Sequence, residues 1–132
     1  NNTSYSYSRF MNMWGWATWR DRATQIDYQM NEWKLIRNKS IWVYRHARQT
    51  IFDSDINWYR LWREKFNKIA ANPNYTWDWQ WMYQQVKNKQ LTVVPSSNLI
   101  SNIGFDAHAT HTIETTNPAA NIPLQAMSSD FK

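Results

Sequence analysis

The chain has no cysteine in its 132 residues. Disulfides and thiolate metal sites are therefore excluded. The absence fits a reducing compartment, and a cytoplasmic location is the expectation. No apolar run approaches the ~20 residues needed to cross a bilayer as a helix, so no transmembrane segment is expected. The first residues, Asn1-Asn2-Thr3-Ser4, are polar and carry no signal-peptide pattern. An initiator methionine is also missing, so the expectation is a piece of a longer protein. Positive charge exceeds negative, with 15 Lys and Arg against 10 Asp and Glu. No block of like charge appears, however, because the cations are scattered among acids. With no nucleic-acid motif either, that pattern reads as a solvated, mildly basic surface and argues against nucleic acid as a partner. Internal repeats are absent.

What is abundant is tryptophan, with 10 residues, and aromatics make up 17% of the chain. Tryptophan buries a large apolar area and keeps one N–H donor. Some of the ten must build the core of what is one domain at most. The remainder are free to stack on a ligand, and the C–H faces of sugar rings are natural partners.

Periodicity predicts a mainly helical chain with a small β component, an α+β class. Trp16, Trp19, Ala23, Ile26, Met30 and Trp33 recur every three or four residues and predict one amphipathic helix. Ile41, Tyr44, Arg48 and Ile51 predict a short second helix. Asp53-Ser54-Asp55 supplies N-cap oxygens to a third, striped by Ile56, Tyr59, Trp62, Phe66 and Ile69 and stopped at Asn72-Pro73-Asn74. Thr76 can cap a fourth, with Asp78 in its first turn and Trp79, Met82, Tyr83 and Val86 on its apolar side. Lys87-Asn88-Lys89 closes it. Leu91-Thr92-Val93-Val94 reads as a strand ended by Pro95, and Asn1 to Met13 as extended chain or loop. A lone strand needs partners. That places the rest of a sheet in a missing segment or in another copy of the chain. After Thr112 the tail, residues 113–132, reads as irregular, either a strap over the surface or disordered. Trp19, Trp33, Trp58, Trp62 and Trp81 fall on or near helix stripes and are assigned to core or helix contacts.

Three stretches carry a further signal. They are Trp14-Gly15-Trp16-Ala17-Thr18-Trp19-Arg20, then Thr76-Trp77-Asp78-Trp79-Gln80-Trp81, then Pro95 to Phe105 with Ala109-Thr110-His111-Thr112 after it. In this order and spacing the chain resembles the C-terminal half of a bacterial family of GT-A-fold nucleotide-diphospho-sugar transferases, sometimes labelled haemolysin-related. A fainter likeness is to animal N-acetylglucosaminyltransferases. The resemblance covers about residues 5–112. It implies that residues 1–112 are the acceptor and catalytic half of a GT-A α/β glycosyltransferase fold. The missing N-terminal half would bind the nucleotide sugar and carry a divalent metal, manganese or magnesium, on an Asp-x-Asp motif. The fragment alone would be inactive and would hold no metal of its own.

The resemblance also assigns roles. Asp78 matches the catalytic base that takes the proton of an acceptor hydroxyl. On its own, the same residue reads as an acid at a helix start, where the dipole favours negative charge. His111 matches a late histidine that contacts the metal or the diphosphate, and His108 is the weaker candidate. A surface histidine is the plainer reading of either. Trp14, Gly15, Trp16, Trp77 and Trp79 would line the acceptor or sugar pocket, with Gly15 letting the backbone approach a ligand. Core packing is their alternative. Asn98 and Asn102 are expected to hold the loop, and Arg20 to sit on the surface. Asp53-Ser54-Asp55 spells Asp-x-Asp but follows only two apolar residues, so it reads as a helix cap rather than the metal motif.

The expected activity is transfer of a sugar to a carbohydrate acceptor hydroxyl with inversion. Two other classes compete with it. One is a non-enzymatic carbohydrate-binding module. The other is a helical oligomerisation module, a homo-oligomer in which a second copy covers exposed edges and Trp-rich faces.

Overall fold

The computed structural model describes residues 3–39, 56–105, 109, 117–118 and 120–126. The predicted helix around Ile41 to Ile51, the Asp53-Ser54-Asp55 cap and both His108 and His111 lie outside the described residues. The class is α-rich with a small antiparallel sheet. In chain order the elements are β1 (Tyr5–Ser8), α1 (Arg20–Ala23), α2 (Asn31–Ile36), α3 (Ile56–Ala71), α4 (Asp78–Lys87) and β2 (Thr92–Pro95). The chain divides into two units. One comprises Asn1–Ser8, Asn12–Trp16 and Thr92–Lys132, and the other Arg9–Met11 and Ala17–Leu91.

The helical unit is organised by aromatics. Helix α3 has no glycine or proline within it and ends just before Asn72-Pro73, where proline disfavours the helical conformation of the preceding residue. Tyr59, Trp62, Phe66, Ile69 and Ala70 of α3 are buried against Met30 and Trp33 and against Met82, Tyr83 and Val86 of α4. The Trp33 ring meets Phe66 edge-on at 5.3 Å and Tyr83 at 5.8 Å. Its Nε1 donates to Asn67 Oδ1 at 3.0 Å, which satisfies the one polar atom the ring carries into the core. Phe10 stacks on Trp62 at 6.2 Å.

Helix α4 ends in a Schellman motif. The Lys89 N–H donates to Val86 O (3.3 Å) and the Gln90 N–H to Gln85 O (3.0 Å). Lys89 takes the left-handed conformation, φ 53°, that this motif usually reserves for glycine. The predicted closure at Lys87-Asn88-Lys89 therefore falls where a specific backbone turn ends the helix.

One expectation is corrected here. The apolar stripe from Trp16 to Trp33 is not one helix. Helix α1 is a single turn, and the chain is interrupted until α2 begins at Asn31. The Asp27 carboxylate accepts the Glu32 N–H at 2.8 Å, and Met30 adopts φ 53°. Asp27 thus competes for a backbone donor that a continuous helix would satisfy internally. Ile26, Met30 and Trp33 still reach the core despite the break. Trp19 does not, because it is 79% exposed. Its assignment to the core is overturned, since the helix that would have turned it inward is absent at that point.

The strand unit corrects a second expectation. Strand β2 is not without a partner in this chain. It pairs antiparallel with β1, in the register Tyr5↔Pro95, Ser6↔Val94, Tyr7↔Val93 and Ser8↔Thr92. The Ser96 N–H to Ser4 O bond (2.9 Å) and the Ser96 hydroxyl to Thr3 O bond (2.7 Å) extend the pairing. Tyr5 and Tyr7, two apart on one strand, share a face and meet edge-on at 5.7 Å. The described part of the tail forms a strap in the same unit. Asn98 holds it, donating Nδ2 to Pro123 O (3.0 Å) and accepting the Gln125 N–H on its carbonyl (2.8 Å). Asn102 Oδ1 accepts the Gly104 N–H at 2.9 Å. Both asparagines therefore shape the loop, as their residue type predicts.

Candidate functional site at the start of helix α4

The stretch Tyr75 to Gln80 joins the stop of α3 to the start of α4. Asp78 is the first residue of α4, and its side chain is half-buried. One carboxylate oxygen, Oδ1, is held twice. It accepts the Thr76 hydroxyl and the Trp79 N–H, the latter at 2.9 Å. The Thr76 hydroxyl oxygen also lies 3.4 Å from the Asp78 N–H. The predicted Thr76 cap is corrected: the cap position is taken by Trp77, which makes no side-chain cap bond, and the Thr76 hydroxyl serves the aspartate. No bond to Asp78 Oδ2 occurs among the described residues. A carboxylate held by one oxygen, with the other available, is oriented to accept a proton from a group outside the helix.

Aromatic surface surrounds this carboxylate in sequence. Tyr75 is 64% exposed and Trp77 43% exposed. Trp79 instead packs inward, edge-on to Trp62 at 5.3 Å, and the Lys65 ammonium lies 5.8 Å from its ring centroid. Trp77 therefore keeps part of its ring surface exposed, while Trp79 ties the start of α4 to α3.

A residue that sequence reasoning missed sits beneath them. Gln80 is 1% exposed. Its Nε2 lies within bonding distance of three carbonyls, Pro73 O (2.8 Å), Thr76 O (2.8 Å) and Tyr28 O (3.3 Å). Its Oε1 is buried and has no partner among the described residues. Gln80 lies between Trp79 and Trp81 in a helix whose residues 80–86 are all buried, and a polar residue there must be bonded.

Trp14 to Trp16 of the first matched stretch and the third matched stretch lie in the strand unit. Trp14 meets the buried Phe105 edge-on at 5.5 Å. Gly15 has φ +63°, and the space a Cβ would take there is filled by Ile100, whose Cγ1 would lie 2.5 Å from it. The close approach that glycine permits is thus to a side chain of the same unit. Trp14 and Trp16 each keep 38% of their surface exposed. Arg20, in the single turn α1, is exposed as expected.

Among the described residues no group of three His, Asp or Glu side chains is placed to hold a metal. No helix among the described residues is long and apolar enough to cross a membrane. No family model matches the chain, and neither a curated protein nor a solved structure does.

Proposed function

We propose that this chain is the acceptor side of an inverting glycosyltransferase, with Asp78 as the base. The acceptor hydroxyl oxygen attacks the anomeric carbon of a nucleotide-diphospho-sugar. Its proton passes to Asp78 Oδ2, and the bond from the anomeric carbon to the diphosphate oxygen breaks. The nucleotide would be bound by a segment outside residues 1–132. The observation that carries the reading is the asymmetric holding of Asp78, whose Oδ1 is fixed by Thr76 and Trp79 while Oδ2 is available. Exposed Trp77 ring surface beside it suits the C–H face of a sugar.

The test is transfer from a panel of nucleotide sugars by the protein that carries this chain, wild type against Asp78→Asn. Asparagine keeps an Oδ1 acceptor for the Trp79 N–H but is not a base. Transfer is expected to fall by about 10²–10⁴-fold, with donor binding unchanged. Unaltered transfer in the variant would remove Asp78 from the chemistry. A second reading, sugar binding without transfer, is favoured by the exposure of Tyr75 and Trp77. It predicts saccharide-dependent quenching of tryptophan fluorescence that Trp77→Ala abolishes and Asp78→Asn leaves in place.

A further inference from the structure

We infer that Gln80 is a positioning residue, which sets the orientation of the Asp78 carboxylate by clamping the backbone of Thr76. The inference rests on the reading of Asp78 as the base. Asp78 Oδ1 is aimed by the Thr76 hydroxyl. A hydroxyl aims only as well as its own backbone is placed. Thr76 stands in the short connection between α3 and α4, outside regular structure. The bond that ties its carbonyl inward is the one from Gln80 Nε2, at 2.8 Å. The same nitrogen lies 2.8 Å from Pro73 O, at the start of that connection, and 3.3 Å from Tyr28 O, in the loop ahead of α2. One buried amide group, with two N–H donors, thus lies 2.8 Å from the carbonyls of Pro73 and Thr76, with Tyr28 O farther at 3.3 Å.

The chemistry of the side chain matches this task. The clamp uses only donors, and Oε1 makes no bond among the described residues. An apolar residue of similar shape would fill the space and leave the carbonyls unpaired. A glutamate would set an acceptor against three acceptors. Because Gln80 follows Asp78 by two residues, both lie in the first turn of α4. A shift of the loop relative to that turn is therefore a shift of the Thr76 hydroxyl relative to the carboxylate. Loss of about 1 Å in such placement can cost on the order of a hundredfold in rate.

The experiment has two arms, the first of which needs no activity. The amide proton of Trp79, bonded to Asp78 Oδ1, is a spectroscopic reporter of the carboxylate. In folded Gln80→Met its resonance is expected to move upfield and its exchange with solvent to quicken, in the same sense as in Thr76→Val. A residue that only stabilises the fold would lower the unfolding midpoint and leave the Trp79 resonance of the folded molecules in place. That outcome overturns the proposal. Should Gln80→Met fail to fold, the link is read from its other end in Thr76→Val. There the side-chain amide resonances of Gln80 are expected to shift, and their constancy overturns the coupling. The second arm is transfer by the protein that carries this chain. Gln80→Met is expected to lose on the order of ten- to a hundredfold in kcat, with KM for donor and acceptor changed less than about twofold. Failure of Asp78→Asn to affect transfer, with the Trp79 signature present in Gln80→Met, would sink the base assignment and keep the clamp. The reverse pair of results would keep the base and sink the clamp.

Discussion

Replacing Gly15 with alanine separates two explanations of that glycine, approach to a ligand or approach to Ile100. The structure supplies both parts of the cost. Gly15 has φ +63°, a region where an L side chain costs about 1–2 kcal/mol. The new Cβ would also overlap Ile100, and overpacking of this kind costs about 1–3 kcal/mol. Ile100 is 41% exposed and can turn toward solvent, although its β-branch restricts the rotamers available. The overlap therefore falls at the low end, and the total is about 2–3 kcal/mol. In an Ile100→Ala background only the backbone part remains, about 1–2 kcal/mol. The two substitutions should thus be coupled by about 1 kcal/mol. Amide hydrogen exchange at Ser96 and Gln125 reads the effect within the same unit, because their N–H groups bond to Ser4 O and Asn98 O. Equal cost of Gly15→Ala in both backgrounds would refute the role of Ile100. A cost near zero in the wild-type background would refute the left-handed backbone as well.

Three other outcomes are expected. Lys89→Gly should raise stability by about 0.5–1 kcal/mol, because Lys89 holds φ 53° at the position of the Schellman motif that glycine fills without strain. A urea midpoint unchanged or lowered would count against this. Asn67→Ala should cost about 1–3 kcal/mol by leaving the buried Trp33 N–H unpaired. In a Trp33→Phe background the same change should cost much less, and full additivity in thermal unfolding would contradict the bond. Burial first, then the charges of Glu32 and Asp27, push the Tyr83 hydroxyl pKa well above its ordinary value of 10.0. Its neutral form is favoured in the folded state, so its contribution is complete below about pH 10 and is lost as pH rises toward the folded value. Stability measured above about pH 10 should fall with pH, and less steeply in Tyr83→Phe.

Particular elements show where sequence reading succeeds and where it stops. Helices α3 and α4 were legible because their stripes are long, uninterrupted and bounded by Asn72-Pro73 and by the acid Asp78. The span from Trp16 to Trp33 carries an equally regular stripe, yet it is broken. Periodicity records which residues face the core, not whether the backbone between them is helical, and Asp27 tipped that local choice. The partner of β2 was missed because Tyr5–Ser8 is short, polar and distant in sequence, so nothing local marks the pairing. At the start of α4, Asp78 was legible as an acid in the first turn of a helix. Gln80 was not, since a glutamine in a helix usually faces water. Trp77 and Trp79 look equivalent as letters, but Trp79 packs against Trp62 while Trp77 is 43% exposed.

Taken alone, the amino-acid sequence determined an α-rich chain with little strand and no thiol chemistry. It also determined helix stops at proline and an acid at a helix start. These follow from composition, backbone sterics and the spacing of apolar residues, all of which act locally. Only the tertiary structure decided that β1 and β2 pair and that Gly15 makes room for Ile100. It alone decided that Trp19 faces outward and that one buried amide lies beside the carbonyls of Tyr28, Pro73 and Thr76. Each of these depends on groups far apart in the chain, and their proximity is set by the packing of the aromatic core or of the strand unit rather than by any neighbour in sequence.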